Sequence, residues 1–271
     1  MRILFLGDIV GRSGRDAVIA AAPGLRKRFD LDLLVVNGEN SAHGFGITPK
    51  ICKDLYEAGV DVITTGNHVW DNREILTHIG DDPKLIRPIN FPPGTPGRGW
   101  AIVETERAGK ALIANVMLRL FMDPLDCPFQ AMEKVMATAV LGKDVAAIVI
   151  DMHGEATSEK RAMGHFLDGR ASLVVGTHSH VPTADGHIMR GGTGYLTDAG
   201  MCGDYDSVIG MRKETSIQTF RTKRRGERMG PADGDGSLAG VFVETDSKTG
   251  LASKIKPFRE GFGLEISWES T

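Results

Sequence analysis

The sequence predicts an α/β protein in which helices flank mixed β-sheets. Short apolar runs alternate with helical segments three times within the first eighty residues, a pattern typical of parallel strands covered by helices. Glycine-containing turns join further apolar runs into hairpins, which add antiparallel strands. Because no repeat, low-complexity segment or linker interrupts residues 1–271, we expect a single domain.

Three strands are predicted in the N-terminal part of the chain, at residues 2–7, 31–36 and 60–64. Each of them ends in polar residues. Asp8 follows the first strand, Glu39 and Asn40 follow the second, and Asn67 and His68 follow the third. In open α/β sheets, ligands bind at the carboxyl ends of the strands, so these side chains are candidates for a functional site.

A helix is predicted after each of these strands, and capping signals mark where the second and third helices begin. The first helix runs to about residue 29, and Thr48 followed by Pro49 predicts the start of the second. Asp71, with Glu74 three residues later, predicts the start of the third. Residues 11–14 contain two glycines but lack the Lys-Ser/Thr pair of a P-loop, so we interpret them as a simple strand-to-helix turn.

The remainder of the chain mixes strand directions. A short strand is expected at residues 85–90, and hairpins are expected at residues 100–117, 185–198 and 239–258. A helix over residues 129–141 precedes an apolar strand at 145–150, beyond which lies His153. After another helix, the strand at 171–176 leads into His178 and His180, which project to the same side at strand period.

Composition and charge exclude several classes of protein. Hydrophobic residues make up 41% of the chain and charged residues 25%, as in ordinary globular proteins. The net charge of −3 gives no overall attraction to nucleic acid or membranes. The N-terminal apolar run is too short for a signal peptide or a membrane span, so we expect a cytoplasmic protein without membrane contact. The three widely spaced cysteines are interpreted as reduced thiols without a predicted role: Cys52, Cys127 and Cys202.

The polar residues at five strand ends together predict a metal centre. Taken singly, each has a structural explanation, such as helix capping by Asp8 or an ordinary hydrogen-bonded environment for His153. Jointly, carboxylate, amide and imidazole groups suit manganese, iron or zinc better than calcium or magnesium. The number of donors is sufficient for two ions bridged by one carboxylate, an arrangement common in phosphoester hydrolysis.

The order of these motifs resembles the calcineurin-like metallophosphoesterases, whose usual pattern is D-x-H, G-D, G-N-H-D/E, H and G-H-x-H. The corresponding motifs are Gly7-Asp8, Gly38-Glu39-Asn40, Gly66-Asn67-His68, His153 and Gly176-Thr177-His178-Ser179-His180. Three positions depart from the pattern: Val10 replaces a histidine, Glu39-Asn40 replaces the bridging aspartate, and Val69 replaces an acid. These departures, with residues 196–201 and 206–211, resemble the YmdB-type subfamily. The resemblance implies a layered α/β sandwich of mixed sheets, with the active site at the C-terminal strand ends.

The same resemblance implies two transition-metal ions, iron or manganese in the first place and zinc as a further candidate. One ion would be held by Asp8, Glu39, Asn40 and His180, and the other by Glu39, Asn67, His153 and His178. His68 would remain free to protonate the leaving group while a hydroxide that bridges the metals attacks. Because the subfamily is associated with 2′,3′-cyclic nucleotides, hydrolysis of such phosphodiesters is the leading hypothesis.

Other functions stay open at this point. A phosphomonoesterase or nucleotidase would use the same dimetal core, whereas a metal-dependent signalling or binding module would act through a partner surface. The basic run at residues 221–225 leaves weak RNA cleavage open, although such a run is usually a solvated face. The sequence is compatible with a homo-oligomer.

Overall fold

The computed structural model describes residues 1–224 and 229–264. Within them, the elements of the first half are β1 (Arg2–Val10), α1 (Gly11–Phe29), β2 (Leu33–Asn40), α2 (Pro49–Glu57), β3 (Val62–Thr64), α3 (Ile75–His78), β4 (Trp100–Thr105), β5 (Gly109–Met117) and α4 (Pro128–Met136). The elements of the second half are β6 (Ala147–His153), α5 (Thr157–Leu167), β7 (Leu173–Thr177), β8 (His187–Ile188), β9 (Gly194–Leu196), β10 (Met201–Asp204), α6 (Lys213–Thr222), β11 (Gly236–Thr245) and β12 (Ala252–Glu260).

The strands form two six-stranded mixed sheets. The first has the order β12-β11-β10-β1-β2-β3, in which β10, β1, β2 and β3 are parallel and β11 is antiparallel to its neighbours. The second has the order β4-β5-β6-β7-β9-β8, with antiparallel strands only at its two edges. The predicted mixed α/β fold is thus confirmed. The five strands that end in polar residues are, however, divided between two sheets.

The alternation of side chains along β1 shows how the layers stack. Ile3 and Phe5 belong to an apolar core made of residues from both sheets, so the sheets pack face to face. Leu4 and Leu6, on the opposite face of the strand, pack in a second core with α1 and α2. A third core joins α4 and α5 to the outer face of the second sheet. The molecule therefore has four layers, helix, sheet, sheet and helix.

Several predicted elements differ from the structure, and two elements were not predicted. Residues 11–14, interpreted as a turn, are the first residues of α1, and the helix expected over residues 129–141 ends at Met136. α3 begins at Ile75 rather than near Asp71, because the Asp71 carboxylate contacts Nδ1 of His68 at 2.8 Å instead of capping a helix. The strand expected at residues 85–90 is reduced to isolated bridges at residues 85–86. Pro88, which has no amide hydrogen, cannot extend that pairing. The short β10 and the largely exposed α6 gave no clear periodic signal.

The structure also locates three further features noted in the sequence. The first four residues of the basic run at 221–225 are solvent-exposed at the end of α6, and Arg225 lies outside the described residues. All three cysteines are free thiols. In residues 1–224 and 229–264, every helix is too short or too polar to cross a membrane.

Two glycines of α1 offer a matched test of its packing. A Cβ at Gly14 would lie 1.9 Å from the carbonyl oxygen of Cys202 in β10, whereas a Cβ at Gly24 would meet no described atom within 4 Å. We expect Gly14→Ala to lower the free energy of unfolding by about 1–3 kcal/mol through overpacking. Gly24→Ala should raise it by about 0.5–1 kcal/mol, because alanine favours a helix. Urea denaturation measures both, and equal stabilities would contradict this packing.

Candidate metal centre

The predicted ligands meet where the parallel strands of the two sheets end. The first sheet contributes residues on β1, at the end of β2 and after β3, namely Asp8, Glu39, Asn40, Asn67 and His68. The second contributes residues at the end of β6 and after β7, namely His153, His178 and His180. Asp8, Glu39 and His153 are completely buried. All eight predicted site residues therefore lie together, although they come from two sheets.

One group of donor atoms surrounds Nε2 of His153. This nitrogen lies 3.2 Å from Oε1 of Glu39, 2.9 Å from Oδ1 of Asn67 and 3.2 Å from Nδ1 of His178. Such spacings fit the ligands of one transition metal, which stand about 3–3.5 Å apart when each bond is about 2.0–2.2 Å. Gly66 allows this approach, since a Cβ there would lie 2.3 Å from the His153 nitrogen.

A second group of donors also contains Glu39. Nε2 of His180 lies 3.8 Å from Oδ1 of Asp8 and 3.2 Å from the amide nitrogen of Asn40, which donates to Glu39 at 3.1 Å. Oδ1 of Asp8 and Oδ1 of Asn40 are buried and have no hydrogen-bond partner among the described residues. Rotation of the Asn40 amide would turn its oxygen toward the other donors. A cation among these residues would satisfy both oxygens, which otherwise carry a desolvation cost.

Contacts outside the donor groups indicate which nitrogen of each histidine faces inward. Nδ1 of His180 donates to the carbonyl oxygen of Ile209 at 2.7 Å, so the neutral ring has its lone pair on Nε2. Nε2 of His178 lies 3.3 Å from the carboxylate of Glu155, which leaves the lone pair on Nδ1. In both rings, the nitrogen without a proton is the one that belongs to a donor group.

His153 is oriented through the hydroxyl of Thr177. This hydroxyl donates to Oδ1 of Asp151 at 2.6 Å and therefore accepts from Nδ1 of His153 at 2.9 Å. The neutral imidazole thus has its lone pair on Nε2. Burial raises the pKa of Asp151, while hydrogen bonds from Thr177, Thr64 and the Asn37 amide act in the opposite direction. A ligand histidine held by a further acceptor is the usual arrangement at protein metal sites.

The charges of the site also fit a bound cation. Burial raises the pKa of Asp8 to about 6. Burial would likewise raise the pKa of Glu39, but the adjacent His153 outweighs it and lowers that pKa to about 2. Against the effect of its own burial, His153 has its pKa raised to about 9 by Glu39, while burial lowers the pKa of His178 to about 3. A metal ion would replace the His153 proton as the charge that balances Glu39.

A second cluster of residues with metal-binding side chains does not have the properties of a metal site. Cys52, His78 and Asp82 have donor atoms close together. The Asp82 carboxylate, however, already accepts two backbone amides, the Tyr56 hydroxyl and a ring nitrogen of His78. Burial raises the pKa of the Cys52 thiol, which disfavours the thiolate that a metal requires. We interpret this cluster as a hydrogen-bonded support for the α2 and α3 region.

The loop that carries His178 and His180 has an unusual backbone conformation. The φ angles are +96° at His178 and +63° at His180, in the left-handed region that residues with a Cβ rarely adopt. Between them, the Ser179 amide donates to Oδ2 of Asp198 at 3.1 Å. The strain is therefore held in place by a buried carboxylate beneath the loop.

Lys160 completes this support and was missed by sequence reasoning. Its ammonium group donates to Asp198 at 2.6 Å and to the carbonyl oxygen of Thr177 at 2.9 Å, and both members of the ion pair are 1% exposed. The available signal was spacing, because Lys160 shares the buried face of α5 with Met163 and Leu167. Buried lysines require such a partner.

His68 lies beside the donor groups, at a cavity of about 460 Å³ that Glu39 and both loop histidines also line. Its backbone amide donates to Oε2 of Glu39 at 3.1 Å, and its ring meets Phe45 edge-on with centroids 5.0 Å apart. The contact of Nδ1 with Asp71 fixes the ring and leaves Nε2 available to a ligand in the cavity.

Replacing Thr177 tests how His153 is oriented. Thr177→Val removes the hydroxyl between His153 and Asp151 at nearly constant volume, whereas Thr177→Ser retains it. We expect the valine variant to bind Mn²⁺ about 10–100-fold more weakly, and the serine variant to bind close to the wild-type affinity. Calorimetric titration of the folded variants measures both affinities. Equal loss in the two variants would contradict the role of the hydroxyl, because the serine variant retains it.

This chain is similar in sequence and fold to several known proteins. A Bacillus subtilis (strain 168) protein named 2′,3′-cyclic-nucleotide 2′-phosphodiesterase is 48% identical over 257 residues, which are 94% of this chain and 96% of that protein. The crystal structure of a hypothetical protein from Thermus thermophilus superposes with a TM-score of 0.88 at 40% identity and covers 96% of this chain and 98% of that one.

The crystal structure of a protein described as a novel phosphatase, from Mycoplasma pneumoniae, also has a TM-score of 0.88, at 34% identity, and covers 96% of this chain and 92% of that one. The model of a family described as YmdB-like protein matches residues 4–258. The subfamily resemblance read from the motifs is thereby confirmed, and the chain belongs to the YmdB-like family.

Proposed function

We propose that this protein is a metal-dependent phosphodiesterase that hydrolyses 2′,3′-cyclic nucleotides. The observation that carries the proposal is the pair of donor groups that share Glu39 beside a cavity lined by His68. The activity named for the Bacillus subtilis relative supports the substrate class. One ion would be held by Asp8, Glu39, Asn40 and His180, and the other by Glu39, Asn67, His153 and His178.

Iron, manganese or zinc suits these mixed nitrogen and oxygen donors. Two such ions would act as Lewis acids on the phosphoryl group and would activate the attacking water. The protein itself supplies the proton for the leaving group. As the bond between phosphorus and one ribose oxygen breaks, that oxygen takes a proton from Nε2 of His68. Asp71, hydrogen-bonded to Nδ1, keeps the ring in position for this transfer.

A phosphomonoesterase is the second candidate, favoured by the description of the Mycoplasma pneumoniae protein as a phosphatase. The two reactions use the same donors and differ in the leaving group and in the charge of the phosphoryl group. Side-by-side assays of 2′,3′-cyclic AMP and 3′-AMP with the Mn²⁺-loaded protein separate them. Faster release of phosphate from 3′-AMP than opening of the cyclic ester would favour the monoesterase.

Replacing His68 tests its role as general acid. His68→Ala should lower kcat for 2′,3′-cyclic AMP by about 10²–10⁴-fold, because the leaving ribose alkoxide needs a proton. The loss should be much smaller with bis-p-nitrophenyl phosphate, whose leaving group is stable as an anion. Steady-state kinetics on both substrates, with metal content measured by elemental analysis, provide the comparison.

Glu39→Gln is the matched control for this experiment. It should lower metal content and the hydrolysis of both substrates together, because Glu39 belongs to both donor groups. If His68→Ala behaved in the same way, with metal lost and both substrates affected equally, His68 would be a ligand or a support for the centre and not the acid.

A further inference from the structure

The cavity beside the metal centre has one polar and one apolar side. Its polar side is made of ligand side chains together with His68 and Glu155. Its apolar side, which we call the apolar wall, consists of Phe45, Val181, Ile209, Met211 and Met229. A phosphoryl group fits the polar side only. The wall therefore provides a contact for some other, apolar part of the same ligand.

The apolar wall contains two packed residues and three exposed ones. Phe45 and Met211 lie in a small apolar cluster and are held by their neighbours. Val181, Ile209 and Met229, in contrast, are 54%, 51% and 46% exposed. Single exposed apolar residues are common on protein surfaces, but a group of them beside a polar site usually marks a ligand contact.

Ile209 is unusual for its position in the backbone. Val208 and Met211 pair with each other, and the two residues between them, Ile209 and Gly210, have φ angles of +48° and +91°. Two-residue turns with positive φ at both positions favour Asn-Gly, and a β-branched residue is strained there. The carbonyl of Ile209 orients His180, yet asparagine would present the same carbonyl with less strain. The half-exposed side chain also gains little packing that could offset the strain.

We infer that the apolar wall receives the nucleobase of the substrate and that Ile209 determines how tightly the base is held. This assignment rests on the proposed function. Nucleobases offer flat apolar faces, for which methionine and branched side chains are suitable contacts. Among the described residues, the wall has no side chain that can hydrogen bond to a base edge. Bases should therefore be recognised by their faces, with purines preferred over pyrimidines because of their larger area.

Two replacements of Ile209 distinguish the contribution of its side chain to nucleobase binding from its effect on the conformation of the turn. Ile209→Asn removes the apolar surface and suits positive φ, whereas Ile209→Leu keeps an apolar surface. The substrates are 2′,3′-cyclic AMP and the 2,3-cyclic phosphate of 1-O-methylribose, which lacks a base. The quantity compared is kcat/KM for 2′,3′-cyclic AMP divided by kcat/KM for the substrate without a base. We expect the asparagine variant to lower this ratio about tenfold, mainly by raising KM for 2′,3′-cyclic AMP. The leucine variant should keep the ratio within about twofold.

Two further measurements make the result decisive. The affinity for 3′-AMP, measured by calorimetry with the metal-loaded protein, should fall in the asparagine variant while its unfolding temperature does not. Val181→Ser should change the substrate ratio in the same direction. An unchanged ratio in both Ile209→Asn and Val181→Ser, with an active wild type, would overturn the wall assignment alone. A wild type that hydrolyses neither ester would overturn the proposed function, while weaker 3′-AMP binding in the variants would still support the wall.

Discussion

Buried negative charge between the two sheets is the constraint on which the rest of the structure depends. Asp8, Glu39 and Asp151 are completely buried where β1, β2 and β6 end. Charges in such a place are costly unless they are paired and hydrogen-bonded. Hydroxyl and amide donors surround Asp151 and Glu39 faces imidazole nitrogens, whereas one oxygen of Asp8 has no hydrogen-bond partner within the part of the chain that the structure describes. A bound metal ion would balance the charge of Asp8 and Glu39, which the hydrogen-bond donors of the protein leave incompletely neutralised.

The orientation of the histidines comes from three separate parts of the chain. Thr177 in β7 holds His153, the carboxylate of Glu155 beyond β6 holds His178, and a backbone carbonyl beyond β10 holds His180. These supports differ in their surroundings. Thr177 is completely buried and leads to a buried acid, whereas the Glu155 side chain is 51% exposed. The His153 side of the centre is therefore the more rigid one, and the His178 side can adapt to a ligand in the cavity.

Sequence reasoning succeeded where the signal was local. An apolar run that ends in Asp8 or His153 marks a buried strand end whatever the strand pairs with. It could not assign β2 and β6 to different sheets, because both are continuous apolar runs and their partners depend on contacts distant in sequence. It also missed the ion pair of Lys160 and Asp198, since each residue alone resembles an ordinary surface charge. Asp71 was interpreted as a helix cap because Glu74 follows it at capping-box spacing, but its carboxylate contacts His68, three residues earlier in the chain.

The turn at Ile209 joins the two halves of the site. Its carbonyl holds a proposed metal ligand, and its side chain belongs to the wall that faces the proposed substrate. The turn is closed by reciprocal backbone hydrogen bonds between Val208 and Met211, and the Ser207 hydroxyl accepts the Gly210 amide at 2.8 Å. These bonds fix the carbonyl independently of the Ile209 side chain. Changes to the turn backbone should therefore alter the candidate metal centre and the cavity together, whereas changes to the side chain should alter the cavity alone.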